Sequence, residues 1–288
     1  MADTNAGLTT VVPPRAEADQ RIAVFYLHGG GLVYGERDDL PAPYVRAFAD
    51  AGYTLVCADY PLAPESALPE TAEALFSCWE GAIARPIQTG ELDGYFLFGR
   101  SAGAYLALVL AREIRRRAAE APLPQPLGIL SFYGYYDLTD PAFREPAKAY
   151  AALPEVSQAT VAGMVRDEPP TSGPKPLRYG LYVYARQHEG AWLDLMGLDG
   201  ASSERTPEAW SLTAEDIAQL PPLFATASSG DEDVPLRISK TLARLAPDAV
   251  MKTVYYLPHD FDRDVTDATG MQVYRQALSW MEQRGQRG

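Results

Sequence analysis

Four short stretches of this chain carry residue types that could act together. Gly99-Arg100-Ser101-Ala102-Gly103 sets a serine among small residues, and a serine hydroxyl becomes a useful nucleophile when a sharp turn holds it beside a base. His28-Gly29-Gly30-Gly31 offers bare amides at a backbone-entropy cost that packing does not recover. Turned toward the serine, the N–H groups of Gly30 and Gly31 with that of Ala102 would make a three-donor oxyanion hole. The same stretch fails as a dinucleotide fingerprint, because Tyr34 stands where the third glycine is due, and no G-x-x-x-x-G-K-S or G-x-x-x-x-G-K-T run occurs. His259 follows one apolar run, and the acidic triplet Asp231-Glu232-Asp233 follows another. One of those carboxylates could hold an imidazole Nδ1–H and stabilise the imidazolium. Taken singly, each stretch has a structural reading: the pentapeptide as helix-on-strand packing, the glycines as a flexible turn, His259 as a polar loop residue, and the triplet as a solvated helix start.

The elements between these stretches decide whether they can meet. Apolar β-rich runs at residues 21–27 (RIAVFYL), 53–58 (YTLVCA), 95–98 (YFLF), 127–133, 223–228 (LFATAS) and 251–257 (MKTVYYL) alternate with helical patterns at 42–51, 69–84 and 102–117. Such alternation builds an α/β domain with a mostly parallel sheet, since each parallel crossover needs a helix. In the 102–117 segment Leu106, Val109, Leu110 and Ile114 fall on one stripe, and Arg115-Arg116-Arg117 suits the negative pole of the helix. Every reactive stretch then follows a strand, at the carboxyl edge where open α/β sheets place their sites. From 137 to 219 the alternation is lost among prolines, glycines and aromatics, far longer than an ordinary connection. This predicts an α/β core of residues 1–136 and 220–288 carrying an inserted cap at 137–219, with about the first 20 residues a loose entry segment.

Composition excludes several function classes. With 25 basic and 38 acidic residues the net charge is −13, so phosphate backbones and anionic lipid surfaces would repel the chain, and neither nucleic acid nor membrane is expected as a partner. No apolar run approaches the length of a bilayer span. Two cysteines, Cys57 and Cys78, cannot build a disulfide framework, and the N-terminal residues lack a basic-then-apolar layout, which predicts a cytoplasmic protein with buried, inert thiols. Three histidines and two cysteines are too few ligands for a closed zinc site. Asp260-Phe261-Asp262-Arg263-Asp264 opens like a calcium loop but has Val265 where glycine is needed and Met271 where the bidentate glutamate belongs. No metal and no organic cofactor is expected.

The chain order of serine, acid and histidine is the one stated for α/β hydrolases, and three linked motifs sharpen the likeness. His28 to Gly31, Gly99 to Gly103 and Asp59-Tyr60-Pro61-Leu62-Ala63-Pro64-Glu65 together resemble the α/β-hydrolase fold of the hormone-sensitive-lipase-like carboxylesterases, over roughly residues 21–136 and 220–285. The resemblance implies Ser101 as nucleophile, His259 as base, Gly30, Gly31 and Ala102 as oxyanion donors, and a small-molecule ester with a short acyl or aryl group as substrate, no cofactor being needed. The hydrolase pattern D-x-x-V-P selects Asp231, followed by Val234-Pro235, with Asp233 in reserve. Monomer and homodimer both remain open. Arg100 stands where the family usually has an acidic residue; it would favour anionic or polar substrates, pair with a cap carboxylate, or form an ion pair below the turn. His28, Arg100, Tyr133 and Tyr135 are the substrate-side candidates, and two or three of the many rings of the cap region are expected to face the site. Two alternatives stand beside ester cleavage: amide, peptide or thioester hydrolysis by the same triad, and a non-catalytic ligand-binding scaffold. The presence of both Ser101 and His259 speaks against the second.

Overall fold

The apolar runs pair into one seven-stranded sheet of order β1-β3-β2-β4-β5-β6-β7. The strands are β1 (Thr9–Val12), β2 (Ile22–Leu27), β3 (Tyr53–Ala58), β4 (Gly94–Arg100), β5 (Gly128–Phe132), β6 (Leu223–Ser228) and β7 (Ala249–Val254). The computed structural model describes residues 7–15, 17 and 19–285. Strands β2 to β7 pair in parallel, and β1 lies antiparallel to β3 at the sheet edge. The entry segment is therefore not loose throughout. Four residues are too few to show a pattern, and it is pairing with β3, continued by the Asp59 N–H donating to the Leu8 carbonyl at 2.9 Å, that makes a strand of residues 9–12.

All six residues of β2 are buried, as are all of β4, β5 and β6, because helices cover both faces of a parallel sheet. Side chains alternate between the two faces. Ala23, Phe25 and Leu27 pack with the Leu68–Trp79 and Ala102–Arg117 helices, whereas Val24 and Tyr26 pack with the Ala42–Asp50 and Ala268–Gly285 helices. Leu106, Val109, Leu110 and Ile114 are buried together, as their stripe predicts. No helix among the described residues is long and apolar enough to cross a membrane.

Strand order places the site. From β2 the chain steps outward to β3, then crosses back to β4 on the other side of β2 and continues to β7. The order reverses at the β2–β4 pair, where loops leaving the carboxyl ends diverge and open a crevice. Leu27 pairs with Gly99 across that boundary, so the glycine loop and the serine turn leave adjacent strands at the same level. Between β5 and β6 the chain forms seven helices, six of them five residues or shorter, and one long helix, Lys175–Gln187. This is the stretch whose strand-helix alternation fails in the sequence.

Candidate active site

Ser101 sits between β4 and the Ala102–Arg117 helix with φ 53° and ψ −119°. A non-glycine residue in this region is strained by about 1–3 kcal/mol and persists only where its surroundings hold it. Here the Ser101 N–H donates to the carbonyl of Phe132 on β5 at 2.8 Å, and its carbonyl accepts from Ala104 at 3.0 Å. The helix begins so close to β2 that a Cβ on Gly103 would lie 2.1 Å from the Leu27 carbonyl oxygen, which is why only glycine fits there. In the neighbouring loop Gly31 has φ 59°, and a Cβ on it would fall 2.1 Å from the Tyr182 ring. Gly30 closes the turn by accepting from the N–H groups of Val33 and Tyr34, both at 3.1 Å.

Three side chains from three loops meet at this edge. His259 Nε2 is 2.9 Å from Ser101 Oγ, and His259 Nδ1 is 2.6 Å from Asp231 Oδ2. The other Asp231 oxygen accepts the backbone N–H groups of Asp233 at 2.9 Å and Val234 at 2.8 Å, which locks the carboxylate in place. The Asp231 side chain is 1% exposed and that of His259 17%. Burial by itself would lower the His259 pKa; the Asp231 carboxylate, by charge and by hydrogen bond, and then Asp260 and Asp233 overcome it and lift the imidazole to about 9. Asp233 turns from the imidazole toward the wall of the same cavity, accepting the hydroxyls of Tyr150 at 2.9 Å and Tyr182 at 2.8 Å and pairing with Arg186 at 3.1 Å.

A cavity of about 170 Å³ opens beside Ser101 and His259, lined also by Gly30, Gly31, Tyr34, Lys175 and Asp260. Of the ring-rich segment, Tyr150, Tyr179 and Tyr182 face it. Tyr34, Lys175 and Asp260 were not among the sequence candidates. Tyr34 and Asp260 each lie within three residues of a motif residue and could have been suspected, whereas nothing local marks Lys175. His28, Tyr133 and Tyr135, expected on the substrate side, stand behind the wall. His28 is fully buried, its Nδ1 bonded to the Gly29 carbonyl at 2.7 Å and its ring stacked on Tyr60 at 4.2 Å, and burial pushes its pKa down. Tyr135 stacks on Tyr105 at 5.0 Å, and Tyr133 packs edge-on against His259 at 4.8 Å. All three rings are buried and have no surface left for a ligand. Both cysteines are buried, which pushes Cys57 up to about 12 and Cys78 up to about 11.

Arg100 also borders an adjoining cavity, yet its guanidinium is committed below the turn. It lies 3.1 Å from Asp262 Oδ1 and 3.4 Å from Asp39 Oδ2, and its Nε donates to the Tyr133 hydroxyl at 2.6 Å. Its partners come from the core loops and not from a cap carboxylate, because the guanidinium points back under β4. Asp262 accepts the hydroxyls of Tyr133 at 2.7 Å and Tyr274 at 2.8 Å as well. The central aspartate of the calcium-like run is thus an ion-pair partner of Arg100, and no group of three or more His, Cys, Asp or Glu that could hold a metal ion occurs among the described residues. The Asp59-to-Glu65 motif does its work outside the cavity. Glu65 pairs with Arg178 at 2.6 Å, both side chains being 1% exposed, and Arg178 donates to the carbonyls of Val33 and Ala63, each at 2.7 Å. Trp192 Nε1 donates to Gly31 O at 2.8 Å, so the helical segment is pinned to the glycine loop and to Val33 just beyond it.

Asp262→Ala leaves the Arg100 cation buried beside the serine turn with its main partner gone. Urea unfolding should show a loss of about 3–5 kcal/mol, and a variant within 0.5 kcal/mol of the parent would mean that the pair carries no structural weight. The raised His259 pKa stabilises the fold in full below its unfolded value near 6.5, and that contribution is lost as pH rises through about 9. Removing the partner with Asp231→Asn should flatten the stability-versus-pH curve between these limits; a curve of unchanged slope would contradict the coupling.

Residues 24–244 match the family model described as the alpha/beta hydrolase fold. A solved alpha/beta hydrolase superfamily protein from Enterococcus faecalis is 33% identical with a TM-score of 0.80, over 96% of this chain and 94% of that one. An esterase from Acinetobacter venetianus is 28% identical over 125 residues, which is 43% of this chain and 39% of that protein. A non-reducing polyketide synthase from Penicillium rubens is 34% identical over 152 residues, 48% of this chain and 6% of the synthase. The match thus spans well under two thirds of either curated relative. On the family match and the near-complete overlap with the Enterococcus protein, this chain belongs to the alpha/beta hydrolase family.

Proposed function

We propose that the protein is a serine hydrolase that cleaves carboxylic esters of small molecules through an acyl-enzyme. The observation that carries this reading is the hydrogen-bond chain from Ser101 Oγ through His259 to Asp231, at 2.9 and 2.6 Å, opening on a cavity that the glycine loop also lines. The hormone-sensitive-lipase-like motifs and the Acinetobacter relative, itself described as an esterase, support the same reaction class.

In this mechanism Ser101 Oγ attacks the acyl carbonyl while His259 Nε2 accepts the hydroxyl proton. The N–H groups of Gly30, Gly31 and Ala102 stabilise the oxyanion of the tetrahedral intermediate, and the positive end of the Ala102–Arg117 helix adds to their field. The acyl carbon–oxygen bond then breaks, and the imidazolium returns the proton to the departing alkoxide, which leaves as the alcohol. Water, deprotonated by His259, attacks the acyl-Ser101 ester in the same way, releasing the acid and restoring the serine. Asp231 holds the Nδ1–H throughout and stabilises the transient imidazolium. The 137–219 segment serves as the cap over the reacting centre, contributing Tyr150, Lys175, Tyr179 and Tyr182 to the cavity wall.

Replacing Ser101 by Ala should abolish labelling by a fluorophosphonate and lower kcat/KM for p-nitrophenyl acetate by on the order of 10⁴-fold or more; persistent labelling would remove the serine from the mechanism. Because the base must be neutral, kcat/KM should climb with pH along a limb near 9, and a profile already level at pH 6 would count against His259. Asp231→Asn should cost on the order of 10⁴-fold in kcat and move that limb toward acid, whereas Asp233→Asn leaves the Nδ1 hydrogen bond intact; the reverse ranking would reassign the acid.

A further inference from the structure

We infer that the cavity beside Ser101 is a binding site for a neutral, hydroxyl-bearing aromatic group, so that esters carrying such a group are the preferred substrates and alkyl esters are poor ones. The inference rests on the ester-hydrolase reading above and names its substrate class. Its first support is composition: no Val, Leu, Ile, Met or Phe is among the residues lining this cavity of about 170 Å³. An alkyl chain packs best against aliphatic side chains that shape themselves to it, and none lines this space.

The walls are rings. Tyr34, Tyr150, Tyr179 and Tyr182 all line the space, and they brace one another edge to face. Tyr34 meets Tyr179 at 5.6 Å and Tyr182 at 5.9 Å, and Tyr150 meets Tyr182 at 5.5 Å. Rings held in this way give a planar guest edge and face contacts without further ordering of side chains.

Two of the four hydroxyls are fixed as acceptors. Tyr150 and Tyr182 both donate to the same Asp233 oxygen, at 2.9 and 2.8 Å, and Arg186 at 3.1 Å holds that carboxylate in position. A phenol has a single hydrogen to give, so both oxygens have only lone pairs left for a ligand. Asp260, on the same wall, is a further acceptor. A guest that donates a hydrogen bond is therefore matched, and one that cannot donate covers these oxygens without replacing their solvent. An anionic guest would meet the Asp260 carboxylate, and the Lys175 ammonium lies over the Tyr179 ring at 4.4 Å, engaged with its π face.

The test compares hydrolysis of methyl 4-hydroxyphenylacetate, methyl phenylacetate and methyl hexanoate by the full chain, each reaction consuming one water and releasing methanol and the acid, followed by titration at constant pH. The hydroxylated ring ester should exceed the plain ring ester in kcat/KM by roughly tenfold or more, as sites built to bond a hydroxyl discriminate against analogues lacking it, and both should exceed the hexanoate. In the Tyr150→Phe/Tyr182→Phe double variant, with folding checked by its melting curve, the ratio between the two ring esters should fall toward one. Hexanoate turned over as fast as the hydroxylated ester by the parent protein, or a ratio unchanged in the folded variant, would overturn the inference. If Ser101 takes a fluorophosphonate label while hexanoate is preferred, this inference alone fails; if Ser101 takes no label and no ester is hydrolysed, the ester-hydrolase reading itself fails.

Discussion

The guanidinium of Arg100 is buried directly behind the serine turn, and a cation taken out of water must find carboxylates there or destabilise the fold. It finds Asp262 at 3.1 Å and Asp39 at 3.4 Å. Arg100 immediately precedes Ser101, and Asp262 lies three residues beyond His259, so one buried contact fixes the spacing of two loops that are far apart in the chain. The hydroxyls of Tyr133 and Tyr274 occupy two further acceptor sites of Asp262. Neither loop can withdraw without exposing an uncompensated charge to a dry interior, and the 2.9 Å approach of His259 to Ser101 is built on that restriction.

The same device recurs where the helical segment meets the core. Arg178 pairs with Glu65 and Arg186 with Asp233, and all four side chains are buried. The first pair also reaches the carbonyl of Val33 beyond the glycine loop, and the second sits two residues from Asp231. The segment is thus tied to both rims of the cavity by ions that have no solvent to retreat into. Its tyrosines line the cavity because these anchors hold the Lys175–Gln187 helix across it.

Beneath these contacts the sheet supplies the common level. Parallel strands send all their carboxyl ends to one edge, and the reversal of strand order at the β2–β4 boundary opens a crevice there. The glycine loop leaves β2, the serine turn leaves β4, and the acid and imidazole leave β6 and β7. Strain at Ser101, with φ 53°, is tolerated because its backbone is bonded to β5 and Gly103 lets the helix sit against β2.

Local pattern was enough for the parallel sheet, the serine turn, the glycine loop and the position of His259, because strand periodicity, small residues at close approaches and loops after strands are properties of neighbouring residues. Those features are legible without knowing what lies across the fold. The edge strand at 9–12 was not, since a run of four residues becomes a strand only when β3 is beside it. Nor were the duties of His28, Tyr133 and Tyr135, whereas the ion pair below the turn was among the readings of Arg100: a polar or aromatic side chain reads alike whether it faces a ligand or a buried partner, and the partners here lie in distant loops. Asp231 and Asp233 are equivalent by composition, and a motif only ranks them. Which one meets an imidazole and which one holds two phenols and an arginine depends on directions of side chains set by packing, and that is information the tertiary structure alone contains.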